Sequence, residues 1–422
     1  MLQRKLLFLL GIIVCLTGFS QRETTSPYSR YNYGDLFSNS LTGDMALGGS
    51  GIAHLHPRFI SFKNPATHIS VPQERFVFEL GAGTNTRLLE QSGNSSQTNS
   101  IGVEYFAFSF PILKDTWAGS VGLLPFSTVG YEIFAGNDDA SFTYSGFGGI
   151  NQAVWGNAFQ LVDNFTVGFH ARYLFGKTYH QSIISFPYPA FSTEKMQTLQ
   201  TKGLIWDFGL HYSYDISETT ALQLGLTYRD KQTVAYEQQD FFASFISLDQ
   251  KPKEYQDTIT NNTVADVRTD IAQKIGVGFG YSIKNTLQYN LDIEMEKWDN
   301  VYVYGNHNPD IDMTYSLRTG IEYTPDYSGQ SYFKKLPYRL GFHYSQLPVY
   351  EKKSASAIQP IDFGISFGTD FILKQTGNSL STAFIVGKRG DFTVDDAIQE
   401  TYIMAKITVR LYEHWFFKQK ID

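Results

Sequence analysis

From residue 74 onward, polar and apolar positions alternate in segments of about ten residues. Leu204, Trp206, Phe208, Leu210, Tyr212 and Tyr214 share one parity, against Ile205, Asp207, Gly209, His211, Ser213 and Asp215. Leu222, Leu224, Leu226 and Tyr228 likewise oppose Gln223, Gly225, Thr227 and Arg229. Side chains of a strand alternate sides, so each segment reads as a strand with one aromatic-rich face and one polar face. The pattern predicts strands over 74–84, 100–110, 116–127, 151–162, 164–179, 200–215, 220–231, 271–283, 286–297, 312–324, 336–347, 361–373, 379–390 and 400–411. With the first strand running outward, the outer connectors are 85–99, 128–150, 180–199, 232–270, 298–311, 348–360 and 391–399. The inner ones are mostly shorter, 325–335 being the exception. Apolar-out, polar-in strands in even number with uneven loops describe an all-β fold, a 14-stranded antiparallel transmembrane β-barrel with both ends periplasmic.

Residues 21–70 do not alternate. They carry Ser26-Pro27-Tyr28-Ser29-Arg30-Tyr31, then Gly48-Gly49-Ser50-Gly51-Ile52-Ala53, then Phe62-Lys63-Asn64-Pro65-Ala66. The small residues at Ala46, Gly48, Gly49, Gly51 and Ala53 allow close backbone packing, which suits a plug folded into the barrel lumen. Asn64, before Pro65, is a candidate capping or hinge residue. Ahead of it, Arg4 and Lys5 precede an apolar run from Leu6 to Thr17, followed by Gly18 and Ser20, the pattern of a signal peptide. The expected division is 1–20 signal peptide, 21–70 hatch, 71–412 barrel and 413–422 periplasmic tail.

Composition narrows the class. Aromatics make up 16% and charged residues 18% of the chain, and the mean hydropathy of -0.22 does not fit a bundle of membrane helices. Cys15 is the only cysteine and lies within the leader, so disulfides and thiolate chemistry are not expected in the mature chain. Without Arg4 and Lys5 there are 32 basic against 41 acidic residues, which argues against nucleic acid as a partner. Aromatics near strand ends (Tyr105, Trp117, Trp155, Tyr173, Trp206, Tyr228, Tyr281, Trp298, Tyr344 and Trp415) suit the headgroup layer.

Charged residues gather on the polar parity. Asp207, His211, Arg229, Lys274, Asp292, Glu294, Arg318, Glu322, Arg339, His343 and Asp362 are expected to face the lumen. A basic residue facing lipid at mid-depth would cost roughly 2–4 kcal/mol. The simplest role for this mixed-sign ladder is to pair across the interior and keep the barrel closed. No Ser-His-acid arrangement stands out, and His54-x-His56 has no third ligand at metal spacing, so neither enzyme, cofactor nor metal is expected.

The Gly48-Gly49-x-Gly51-x-Ala53 run, with Asn64-Pro65-Ala66 a dozen residues on, resembles the N-terminal hatch of FadL-type outer-membrane transporters. Two later stretches agree with it. Leu291 to Asp299, an acidic strand ending in Trp298, resembles one family strand, and Tyr338-Arg339-Leu340-Gly341-Phe342-His343-Tyr344 another. The Ser26–Tyr31 opening and the residues beyond Phe417 depart from the family pattern and mark a lineage-specific subgroup. The resemblance implies an integral outer-membrane protein, surrounded by outer-membrane lipids, that passively takes up a hydrophobic small molecule, fatty-acid-like or aromatic. It places ligand capture on outer loops, here Phe186, Tyr188, Phe191, Phe241, Phe242, Phe245 and Ile246, and a movable hatch at Gly48, Gly49, Gly51, Asn64, Pro65 and Ala66. The same family includes PorV-like barrels of type IX secretion. A non-enzymatic secretion component with a protein partner therefore stands as the alternative.

Overall fold

The computed structural model describes residues 26–186, 191–246, 255–307, 309–349, 351–353, 356–373, 377–393 and 397–414. The expected leader, Tyr188 and Trp415 with the residues after it lie outside these. Fourteen strands form the wall: β1 Arg75–Gln91, β2 Asn94–Leu113, β3 Trp117–Gly136, β4 Ser141–Val162, β5 Phe165–Ser185, β6 Ser192–Asp215, β7 Thr220–Arg229 continued by Gln232–Phe245, and β8 Tyr255–Ile271 continued by Gln273–Ile283. They continue with β9 Leu287–Lys297, β10 Met313–Tyr323, β11 Tyr338–Gln346, β12 Ile361–Ile372, β13 Ser379–Gly390 and β14 Gln399–His414. Neighbours pair antiparallel, and β14 closes the barrel on β1, from Gln399↔Glu90 to His414↔Arg75.

The side-chain faces obey the alternation. Phe208 is 53% and Leu224 51% exposed, whereas Ile205 is fully buried and His211 is 2% exposed. The apolar outer face on β6 runs from Leu204 to Tyr214 and gives way to Lys202 above it, a height suited to a bilayer core.

Several expectations are corrected. The outer segments 85–99, 128–150, 180–199 and 232–270 are not loops for most of their length, because β1 to β8 continue far beyond the lipid belt as tall hairpins. Above the bilayer the outward face needs no apolar residues, so the strands go on without the signal that marks them below. Phe241, Phe242 and Phe245 accordingly lie within β7. Tyr105 is not a headgroup aromatic. A register shift at Gly81/Ala82 accompanies its turn into the lumen, where it is 5% exposed. Trp298 is also buried, in an apolar cluster with Tyr33, Phe126, Ile205, Val301 and Ile311.

Among the described residues the wall is continuous except in two places. Between β2 and β3, pairing stops at Phe106↔Leu123. Beyond that point Asn94–Val103 pair only with β1, and β3 pairs onward with β4 across a register shift at Pro125/Ser127. Proline has no N–H for a ladder, which accounts for the strands parting here. Between β6 and β7, pairing lapses from Lys202↔Ala235 to Phe208↔Tyr228. There the Gln232 side chain replaces backbone, accepting from Trp206 N (2.8 Å) and donating to Trp206 O (2.7 Å).

Candidate functional site: a plugged lumen with a side cavity

The segment before β1 contains a 3₁₀ turn Pro27–Arg30, the two-residue strand Asp35–Leu36, a helical turn Thr42–Met45 and a second 3₁₀ turn Pro65–Ser70. It is bonded to strands on all sides of the lumen. Its first part takes over the edge that β3 loses at the parting. Asp35 and Leu36 pair with Thr128 and Ser127, Ser26 N donates to Gly130 O (2.9 Å), and Phe37 N donates to Phe126 O (3.0 Å).

Its middle part presses backbone against backbone where inward strand positions are glycine. A Cβ on Gly341 would stand 1.9 Å from Gly48 N, and one on Gly225 would stand 2.2 Å from Ile52 O. Gly48 and Gly49 themselves have φ of 69° and 79°, conformations that few other residues adopt. Gly51 N and Ile52 N donate to Asp292 Oδ2 (2.7 and 3.0 Å). Asn64 caps the second 3₁₀ turn by accepting from Ala66 N (3.0 Å), and its amide donates to Ile52 O and Leu210 O (2.8 and 2.9 Å). Pro65 and Ala66 are buried in that turn.

Apart from His211 and Asp292, the charged residues of the polar parity lie in four clusters rather than one ladder. Around Asp207 stand Arg172, which also donates to Phe62 O (3.1 Å), and Arg229. His211, which donates from Nε2 to Ala53 O (3.1 Å), holds the plug separately. Glu294 gathers Lys63 of the plug (2.8 Å), Lys274 (3.0 Å) and Arg318. Asp370 joins Arg339 and Arg410 (both 2.8 Å); Arg339 continues to Glu322 (2.6 Å) and Arg410 to Glu79 (2.7 Å), which accepts from Ile60 N of the plug. Finally, Asp35 of the plug meets Arg389 (2.9 Å), which also holds Asp362 (2.9 Å), while His343 and Tyr402 complete the group. Every cluster therefore contacts the plug, and the charges tie it in as well as spanning the wall.

Burial also acts on the plug's own titratable groups. It pushes Asp44 up to about 8, and it pushes His54 and His68 down to about 3, so the two imidazoles are neutral.

A cavity of about 500 Å³ lies where β2 and β3 part. Ile101 and Val103 of β2 form its outer lip, and Leu36, Phe37 and Met45 of the plug and Met404 of β14 supply apolar lining. Arg318, Asp362, Arg389 and His343 border its depth. The residues expected to capture ligand on outer loops do not line it. Phe186, Phe191 and Ile246 are exposed at the hairpin tips, Phe241 and Phe242 are half-buried, and Phe245 is fully buried between Ser192 and Tyr255. Pro125, in the middle of a strand, was the sequence signal for the parting. Glycine at inward positions was the signal for the plug's bed.

Solved structures share this fold. The Pseudomonas putida toluene transporter TodX aligns at a TM-score of 0.61 and 12% identity, covering 90% of this chain and 100% of that one. The Ralstonia pickettii toluene transporter TbuX aligns at 0.57 and 13%, covering 89% and 99%. A Pseudomonas aeruginosa FadL homologue aligns at 0.55 and 12%, covering 91% and 100%. No curated protein matches. The barrel is of the FadL type, and with a family model described as BamG matching residues 1–422, the chain belongs to the BamG family.

Proposed function

We propose that the protein is a non-enzymatic outer-membrane channel through which a hydrophobic small molecule passes passively, by way of the parting between β2 and β3. The observation that carries this reading is the cavity lined by Ile101 and Val103 at the place where β2 and β3 part. A straight aqueous path through the lumen is a poor alternative. The plug is tied into the wall at each cluster, by ion pairs at Lys63 and Asp35 and by backbone hydrogen bonds at Phe62 and Ile60, and Trp298, Val301, Val303 and Ile311 pack with Tyr33 into an apolar cap beyond it. Toluene transporters among the structures that share the fold support the substrate class.

The cavity's own chemistry refines the ligand. Its lip is aliphatic and its depth is lined with charges already engaged in pairs, so an apolar body near the wall is favoured over a charged solute. The reading as a secretion component draws no support from the comparisons. Native purification followed by mass spectrometry of everything that travels with the barrel separates the two. A bound hydrophobic molecule lost on Val103→Trp is expected; a stoichiometric protein partner with no small molecule would reinstate the secretion reading.

A further inference from the structure

The second 3₁₀ turn of the plug is fastened to β5 by two imidazoles. His68 Nε2 lies 2.8 Å from His170 Nε2, and both residues are buried, at 3% and 0% exposure. The proton positions follow from the third member. Arg172 Nη2 lies 2.9 Å from His170 Nδ1, and a guanidinium can only donate, so His170 Nδ1 accepts. The His170 proton is then on Nε2 and is given to His68 Nε2, which leaves the His68 proton on Nδ1. Both rings are neutral.

One more proton cannot be placed without loss. On His68 it would sit on Nε2, facing the His170 N–H. Moving the His170 proton to Nδ1 to relieve that contact would set it against the Arg172 donor. Either way a hydrogen bond is lost and a second cation is created beside a buried guanidinium. The surroundings offer little compensation. Asp207 of β6 is already engaged by Arg172 and by Arg229 of β7. β3 and β4 present Ser120, Gly156 and Gln152, and the plug presents Phe62 and Asn64, all uncharged.

We propose that the His68–His170 pair is a proton-sensitive latch that holds the Pro65–Ser70 turn of the plug on β5 and lets it go on acidification. The latch acts on docking of the plug, whatever molecule the cavity takes. The sign follows from linkage. The latched turn binds its extra proton far less readily than a released histidine, which titrates near 6.5, so release takes up a proton and is favoured as pH falls below that value. Between pH 7.5 and 5.5, a released-state value of about 6.5 gives about a tenfold rise in the released population.

Thr67 is 3% exposed within this turn, so a thiol placed there reports its release. The test is maleimide labelling of the full-length Thr67→Cys barrel in micelles, each rate divided by that of the unfolded protein at the same pH. A tenfold rise from pH 7.5 to 5.5 is expected, reduced to less than twofold in the additional presence of His68→Gln, which keeps an acceptor for His170 but does not titrate. A second reporter, Ala46→Cys beside β13, is expected to fall rather than rise, because the buried Asp44 carboxyl holds its own turn more firmly at low pH. A flat Thr67→Cys profile, an undiminished rise with His68→Gln, or an equal rise at Ala46→Cys would each overturn the latch.

Discussion

At the residue scale, buried charge is the feature of greatest consequence. Asp370 is the common partner of Arg339 and Arg410, both almost fully buried. Replacing it with Asn leaves two guanidiniums short of a counter-charge, and breaking a buried network of this kind costs about 3–5 kcal/mol. Urea unfolding of the Asp370→Asn barrel in micelles should show a loss of that size; a change below about 0.5 kcal/mol would mean that water reaches the cluster. Asp44 acts in the opposite sense to His68. Burial holds its carboxyl near 8, against about 3.9 when free, so docking of the Thr42–Met45 turn is favoured at low pH and weakens as pH rises through 8. Asp44→Asn should remove the alkaline loss, measured as labelling at Ala46→Cys between pH 7 and 9. Persistence of the loss would assign it to another group. Gly341 sets a steric limit. A valine there would collide with Gly48 N, and raised leakage of small solutes through a still heat-modifiable barrel is the expected result.

At the scale of elements, legibility followed the solvent. Within the bilayer an outward side chain must be apolar, so strands such as β6 and β9 announced themselves by parity. Above it, Asn94–Ser100 and Tyr255–Asp266 remain in strands with polar side chains on both faces, and nothing in their alternation distinguishes them from loops. Tyr105 was misplaced because one bulge inverts every later side chain of its strand. Trp298 was misplaced because the segment after β9 folds inward over the lumen. The inward charges were legible as a set, but their partners on the plug were not, since pairing across hundreds of residues leaves no local trace. Gln232 is a similar case. A side chain that stands in for a missing strand cannot be read from spacing. Its replacement by Ala leaves Trp206 N–H and C=O without their partner, which should cost about 1–3 kcal/mol in the same urea assay. An unchanged midpoint would show that water or a neighbouring strand fills the seam.

For the whole molecule, the wall and the plug have separable tasks. Closure comes from strand pairing, from β1 through β14 and back, and does not require residues 26–71 except along the freed edge of β3. Deleting that segment should leave a heat-modifiable barrel that leaks small solutes; failure to assemble would make the plug part of the folding core. The cavity between β2 and β3 is the element on which the proposed function rests. The most direct test of the proposed uptake uses toluene as a probe and measures its rate of entry into cells carrying this protein, comparing wild type with Ile101→Trp, which sets an indole at the parting between β2 and β3. At least a fivefold fall at equal barrel abundance is expected; uptake by the variant equal to wild type, or wild-type uptake no faster than in cells without the protein, would contradict passage through the parting.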